Sequence, residues 1–235
     1  MHAKGQSGTS ERYRLDFAEP PTLSSSSSPQ RQGRPVDQAK RKAIIAAAAR
    51  SFFEHGFSAT SIEQVAADAG VSKVTVYNQF GDKQALFTAA VEAECERLRG
   101  LLTIDFPKGA NLRERLLTIG EAMSEFISRP EMVQFERRIA AETERDPAVG
   151  AAFLAAGPHR MKANFTALLT AMNEAGEVRI DDCELAAEQF ASMCKGMGDL
   201  NRRFGMPRDA QRDRERIEGA VEVFCRAYAV NPDCK

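Results

Sequence analysis

Between residues 72 and 78 the chain places several hydrogen-bonding side chains close together. A lysine ammonium can donate to guanine edges or to phosphates, and hydroxyl and amide groups can bond to bases or to the sugar–phosphate backbone. Side chains of this kind along the outer side of a short helix favour contact with a DNA groove. The candidate contacts in this segment are Ser72, Lys73, Val74, Thr75, Tyr77 and Asn78.

Two short helices, separated by Gly70, are needed to position these side chains. Ser61 can cap the first helix, and Gly70 permits the left-handed turn that ends it. Ser72 can cap the second helix. Apolar residues recur at helical spacing in and around both helices, at Ile62, Val65, Ala66, Ala69, Val71, Val76 and Phe80. This layout indicates a helix-turn-helix, whose second helix lies in the major groove.

The residues that flank the two helices suit contacts with phosphates. Thr60 and Lys83 stand at helix starts, where a hydroxyl or an ammonium can anchor an anion, and Ser61 joins them as a candidate DNA contact. Simpler roles stay open for three candidates. Thr60 can act only as a helix cap, Lys73 can be a solvated lysine, and the Tyr77 ring can pack inward with its hydroxyl outward.

Charge is distributed unevenly along the chain, whose net charge is -1. Residues 1–33 contain four basic and three acidic side chains, and residues 34–87 contain seven basic and five acidic ones. Residues 88–235 therefore carry a net charge of -4. Residues 34–87, which contain the helix-turn-helix, therefore carry a net positive charge that favours contacts with phosphates.

The N-terminal residues 1–33 have no hydrophobic period and contain a serine run bracketed by prolines, which predicts disorder. The first seventeen residues contain charges and no apolar run. We therefore expect neither a secretion signal nor a transmembrane segment, and we expect a cytoplasmic protein with no membrane partner.

The remaining sequence predicts an all-α fold. The 235 residues are 43% hydrophobic and 28% charged, enough for a real core in one or two domains. Strand-type alternation does not occur, and the connections between helices contain proline or glycine at Pro130, Pro147, Gly157, Gly176 and Gly205. Further helices are predicted over residues 37–55, 82–102, 111–128, 130–145, 158–175, 182–195 with an extension toward 203 left open, and 207–228.

Catalytic and metal sites are not expected. The sequence has no glycine-rich phosphate loop, no Gly-x-Ser-x-Gly and no His-Glu-x-x-His, so it predicts neither an enzyme nor a cofactor. Its five cysteines are widely spaced and include no Cys-x-x-Cys pair, which argues against a disulfide framework or a zinc site.

Two apolar surfaces are predicted in the second half of the chain. Soft side chains that could line a small-molecule pocket, or simply form core, are Met123, Phe126, Phe135, His159, Phe165, Met172, Phe190 and Met193. An apolar stripe on the last helix predicts a homodimer interface, with packing inside the same chain as the alternative. Its residues are Ile217, Val221, Phe224 and Tyr228.

Residues 33–35 (Gly-Arg-Pro), 52–57 (Phe-Phe-Glu-His-Gly-Phe) and 60–83 resemble the N-terminal domain of the TetR family of bacterial transcriptional regulators. Beyond the tail at 1–33, the resemblance implies a DNA-binding domain at 34–83 and a helical ligand-binding and dimerisation domain at 84–235. It also implies a homodimer that binds a pseudo-palindromic operator and is released by a small apolar or amphipathic inducer. Arg34 matches the family's basic arm, which can enter the minor groove, and the alternative is that it is a solvated tail residue.

Residues 136–147, 155–158 and 184–196 are similar to the AefR-like C-terminal domain of some TetR-type regulators, including regulators of efflux systems. Two other functions stay open on the sequence. A thiol-based redox-sensing regulator would use Cys183, Cys194 or Cys225, and a structural DNA-binding protein would show little sequence preference.

Overall fold

The computed structural model describes residues 38–101 and 110–230, with side chains described for 38–96 and 110–230. The predicted tail and Arg34 lie outside these residues. The described residues form helices α1 (Gln38–His55), α2 (Ile62–Asp68), α3 (Lys73–Phe80), α4 (Lys83–Leu101), α5 (Leu112–Ile127), α6 (Pro130–Thr143), α7 (Pro147–Ala156), α8 (Pro158–Glu174), α9 (Cys183–Arg203) and α10 (Ala210–Tyr228). Val178 and Ala229 also form an isolated antiparallel bridge. The all-α prediction is confirmed.

Helix α7 is the element that the sequence did not predict. The segment between Pro147 and Gly157 was expected to be a connection, but it forms a ten-residue helix. Asp146 caps it by accepting a hydrogen bond from the Ala148 backbone N–H at 3.1 Å. Proline at the first helical position has a favourable fixed φ and lacks only an N–H that would be unpaired there, so Pro147 starts this helix. None of the helices in the described residues is long and apolar enough to cross a bilayer.

Helix α9 runs to Arg203, as the open extension allowed, but it is interrupted at Gly196, whose φ and ψ are 45° and −154°. The Arg216 side chain from α10 packs against this interruption. A Cβ added at Gly196 or Gly198 would lie 2.6 Å from atoms of Arg216. The two glycines therefore let α10 approach the break in α9.

Buried charges fix the turn that joins α9 to α10. The Asp213 carboxylate is buried and accepts hydrogen bonds from Arg202 and Arg208, both at 3.2 Å, and from Arg216 at 2.7 Å. Hydrogen bonds to charged groups are stronger than neutral ones, and buried charges need such partners. The ends of the two helices are thus held together by one carboxylate.

The larger of two buried clusters joins the helix-turn-helix to the middle of the chain. Phe87 of α4 makes an edge contact with Phe52 of α1, with ring centroids 5.1 Å apart. Phe135 of α6 stacks on Phe53 of α1 at 4.0 Å. Residues of α7 pack against the same cluster. This packing crosses the predicted domain boundary at residue 83, and the division into 34–83 and 84–235 stays a prediction.

The second cluster contains the predicted dimer stripe and corrects that prediction. Ile217, Val221 and Phe224 are 3%, 0% and 1% exposed, and they belong to one buried cluster with residues of α5, α8 and α9 of the same chain. Tyr228 is half-buried, with its ring 4.8 Å from that of Phe224. Spacing identified the apolar face correctly, but the chain's own helices cover that face.

Phe224→Ala should therefore lower the free energy of unfolding by about 3–5 kcal/mol, because it removes a ring that is 1% exposed and lies 5.4 Å from that of Phe190. Urea unfolding followed by circular dichroism measures the effect. The matched control is Phe204→Ala, which removes a ring that is 82% exposed and should change stability by less than about 0.5 kcal/mol. An unchanged stability for Phe224→Ala would contradict the core assignment.

Candidate nucleic-acid interface

The turn between α2 and α3 is fixed by local hydrogen bonds. The Ser61 hydroxyl caps α2 by accepting from the Gln64 N–H at 3.3 Å. At the other end of α2, the Val71 N–H donates to the Ala66 carbonyl at 2.9 Å, and Gly70 takes a φ of 66°. This is the left-handed ending that glycine favours. It sets α3 in a defined direction relative to α2.

Helix α3 presents its polar side to solvent. Ser72 caps the helix, with its hydroxyl 3.2 Å from the Thr75 N–H. Val76 is 1% exposed and faces the core, while Thr75 is half-buried. The predicted contacts on the open side of the helix are all exposed: Ser72, Lys73, Val74, Tyr77 and Asn78. The structure thus brings these five side chains onto one accessible surface.

Lys73 is held by a partner that the sequence analysis missed. Its ammonium forms an ion pair with the Glu63 carboxylate of α2 and lies 5.7 Å from the centroid of the Tyr77 ring. The hydrogen bond from Lys73 holds the pKa of Glu63 at about 2, and the same contact raises the pKa of Lys73. The pair joins two different helices, so no spacing rule within one helix could have found it.

Arg41 of α1 fixes the far end of α3. Its guanidinium donates to the Gln79 carbonyl at 3.2 Å and lies 4.3 Å above the Phe80 ring. A cation near a helix C-terminus interacts favourably with the helix dipole, and stacking on an aromatic face adds to this. Arg41 therefore positions the exposed helix without needing to touch DNA.

Thr60 is placed differently from the sequence prediction, whereas Lys83 stands at the start of α4 as expected and its phosphate contact stays a prediction. Thr60 is 3% exposed, and its hydroxyl donates to the Gly56 carbonyl at 2.8 Å, so the structure does not present this hydroxyl to a phosphate. The Lys83 ammonium donates to the Ser58 carbonyl at 3.1 Å and lies 4.8 Å from the Phe57 ring centroid. Partial burial lowers the pKa of Lys83.

Glu142, at the end of α6, connects the middle of the chain to the turn between α1 and α2. Its carboxylate accepts hydrogen bonds from the Ser58 N–H at 2.8 Å and from the Ser58 hydroxyl at 3.0 Å. Gly56, with a φ of 87°, lies against the same carboxylate, and a Cβ there would overlap it. One turn earlier in α6, Arg138 donates to the Phe53 carbonyl at 2.6 Å.

The predicted ligand-lining residues do not meet in one place. Phe126 and Phe135 belong to the first buried cluster, whereas Met123, Phe165, Met172, Phe190 and Met193 belong to or pack against the second. His159 is exposed and is a member of neither cluster. Between α9 and α10 there is instead an open depression of about 320 Å³, lined by Gln189, Ser192, Met193, Val223, Phe224, Ala227 and Tyr228.

Comparison with known proteins agrees with these features. Residues 44–90 match the profile for bacterial regulatory proteins of the tetR family, and residues 114–230 match the profile for the AefR-like transcriptional repressor C-terminal domain. The HTH-type transcriptional regulator BetI of Rhizobium meliloti is 28% identical over 165 residues, which cover 69% of this chain and 77% of BetI.

Solved structures show the same fold. The Flavonoid-responsive Regulator FrrA superposes with a TM-score of 0.67 at 32% identity, covering 83% of this chain and 99% of FrrA. A TetR transcriptional regulator from Agrobacterium tumefaciens superposes with a TM-score of 0.66 at 21% identity, covering 81% of this chain and 94% of that one. With its helix-turn-helix and its AefR-like C-terminal half, the chain belongs to the TetR family of transcriptional regulators.

Proposed function

We propose that this protein is a repressor that binds a pseudo-palindromic operator as a homodimer and is released by a small apolar or amphipathic inducer. The observation that carries the proposal is the exposed polar side of α3, held by the Ser72 cap and by Arg41. In a dimer, two such helices would enter successive major grooves about 34–36 Å apart. The cytoplasm, where chromosomal DNA lies, is the location this function requires.

The test begins with selection of bound fragments from the host genome, which should yield a pseudo-palindromic site. Lys73→Ala should then weaken binding to that site by roughly five- to 100-fold if the ammonium touches a base edge. Fluorescence anisotropy on the selected duplex and on random duplex, at one fixed salt concentration, measures this. Equal operator affinity for wild type and Lys73→Ala would remove Lys73 from the interface.

The proposed dimer interface is the exposed face of α9 and α10. Small and apolar residues recur along the outer side of α10 at Gly219, Val223 and Ala227, and the open depression lies between this side and α9. Val223 is 54% exposed, and Leu185 on α9 is 50% exposed. Two helices from each protomer would form a four-helix contact across a two-fold axis.

Replacing both Val223 and Ala227 with glutamate should give folded monomers with weak operator binding, because four carboxylates would meet at the two-fold contact. Analytical ultracentrifugation and circular dichroism separate dissociation from unfolding. Leu154→Glu is the control, since Leu154 is 42% exposed on α7, away from the proposed contact. A folded dimer in the double variant would place the interface elsewhere.

The proposed inducer site is the second buried cluster. Met123, Phe165 and Met193 are half-buried around the fully buried Phe190, and methionine and phenylalanine side chains adapt well to apolar ligands. FrrA is named as flavonoid-responsive, and its likeness to this chain supports a planar, amphipathic aromatic molecule as inducer. The AefR-like resemblance supports efflux genes as the target. Only a ligand that binds the two protein conformations with different affinity can release the operator.

Helix α6 is the proposed route from inducer to DNA. Its last turns hold the end of α1 through Arg138 and the α1–α2 turn through Glu142, and Lys83 holds the same turn through the Ser58 carbonyl. A shift of α6 would therefore change the position of the whole helix-turn-helix. Small shifts at such a contact are transmitted because packed elements move as units.

Glu142→Ala should speed hydrogen exchange at the Ser58 amide and weaken operator binding by roughly fivefold, because the turn loses two hydrogen bonds to a charged acceptor. Exchange detected by NMR and anisotropy on the operator measure the two effects. Glu144→Ala changes an exposed acid two residues away and should alter neither. If both variants behave alike, Glu142 does not connect α6 to the DNA-binding helices.

Burial disfavours the redox-sensing alternative at Cys194 and Cys225, whereas Cys183 is only half-buried and stays open to it. Burial raises the pKa of Cys95 to about 11 and that of Cys194 to about 12. Cys225 is fully buried. The thiolate is the reactive form of cysteine, so these two raised pKa values keep Cys95 and Cys194 in the unreactive thiol form near neutral pH.

A further inference from the structure

We propose that Glu63 determines operator specificity by withholding the Lys73 ammonium from phosphates, so that Lys73 contributes to binding only where a base edge receives it. The inference rests on the proposed function and adds an acidic residue to the DNA-binding surface. Glu63 lies on α2, not on the helix that would enter the groove.

The Glu63 carboxylate is held at both oxygens. One oxygen forms the ion pair with Lys73, and the other accepts a hydrogen bond from the Ser61 hydroxyl at 3.0 Å. Ser61 is also the cap of α2, so the carboxylate is fixed to the start of that helix. The Tyr77 ring lies on another side of the ammonium, 5.7 Å from Nζ. Lys73 therefore has a defined position before DNA arrives.

The Glu63 carboxylate acts against phosphates because it competes with them for the Lys73 ammonium. On random duplex the ammonium stays with Glu63 and adds little to binding. On the operator, a guanine offers its O6 and N7 acceptors to the ammonium in place of the carboxylate, whereas most random sequences place another base there. Glu63 thus widens the difference between operator and random DNA.

A purely structural role is the competing explanation. An acid in the first turn stabilises a helix, and Glu63 occupies that position in α2. The two roles differ in one respect. A structural role does not depend on Lys73, whereas withholding the ammonium requires it.

The experiment compares wild type, Glu63→Gln, Lys73→Ala and the double variant on operator and random duplex over a salt series. Glutamine keeps the side-chain volume and an oxygen that can accept from Ser61. Asp68→Asn is the matched control, because it removes one exposed acid from the other end of α2. Melting temperatures of all five proteins report any loss of folding.

We expect Glu63→Gln to raise affinity for random duplex by about three- to tenfold. Operator affinity should rise less, because there the variant is spared only the loss of an exposed ion pair. The logarithmic salt dependence on random duplex should steepen by about 0.9, the value for one more phosphate contact. In the Lys73→Ala background the same substitution should change neither quantity. Asp68→Asn should leave the ratio of operator to random affinity unchanged.

The inference is overturned if Glu63→Gln has the same effect with and without Lys73, or if Asp68→Asn reproduces it, because either result indicates a general charge effect. It is also overturned if Glu63→Gln lowers both affinities together with the melting temperature, which indicates helix stabilisation. Failure of the proposed function looks different, since wild type would then prefer no genomic fragment over random DNA.

Discussion

The contact between α6 and α1 is the constraint on which the rest of the structure depends. Phe135 is fully buried and stacks on Phe53, and Phe87 of α4 continues the same cluster toward Phe52. Because interiors are close-packed and resist deformation, helices joined through such a cluster keep their relative positions. The helix-turn-helix is therefore not an independent appendage. It shares its core with α6 and α7, and its orientation follows from theirs.

The local features of the helix-turn-helix could be predicted because they depend on neighbouring residues. Ser61 and Ser72 cap their helices, and Gly70 takes the left-handed conformation, as their residue types indicated. Capping and turn preferences act over a few residues and are therefore visible in the sequence. The resemblance to the TetR family, which the profile matches confirm, placed this motif in a transcriptional regulator.

The features that could not be predicted all depend on which helix or chain segment packs against a given helix. Helical spacing identified the apolar stripe that includes Val221 and Phe224, but spacing cannot tell whether a partner chain or the same chain covers it. Thr60 has a residue type suited to a phosphate contact, yet its hydroxyl points into the protein. Glu63 was passed over because its partner Lys73 lies on another helix. Contacts between elements require the tertiary arrangement.

Gly56 shows how such an arrangement restricts the evolution of the chain. Its φ of 87° favours glycine, and the Glu142 carboxylate occupies the space where a side chain would begin. A larger residue at position 56 would have an unfavourable φ and would also overlap the Glu142 carboxylate. Replacing Glu142 would remove the overlap but would leave the unfavourable φ. Position 56 should accordingly be among the slowest to diverge in descendants of this sequence, although it lies on a turn, where substitutions are usually tolerated.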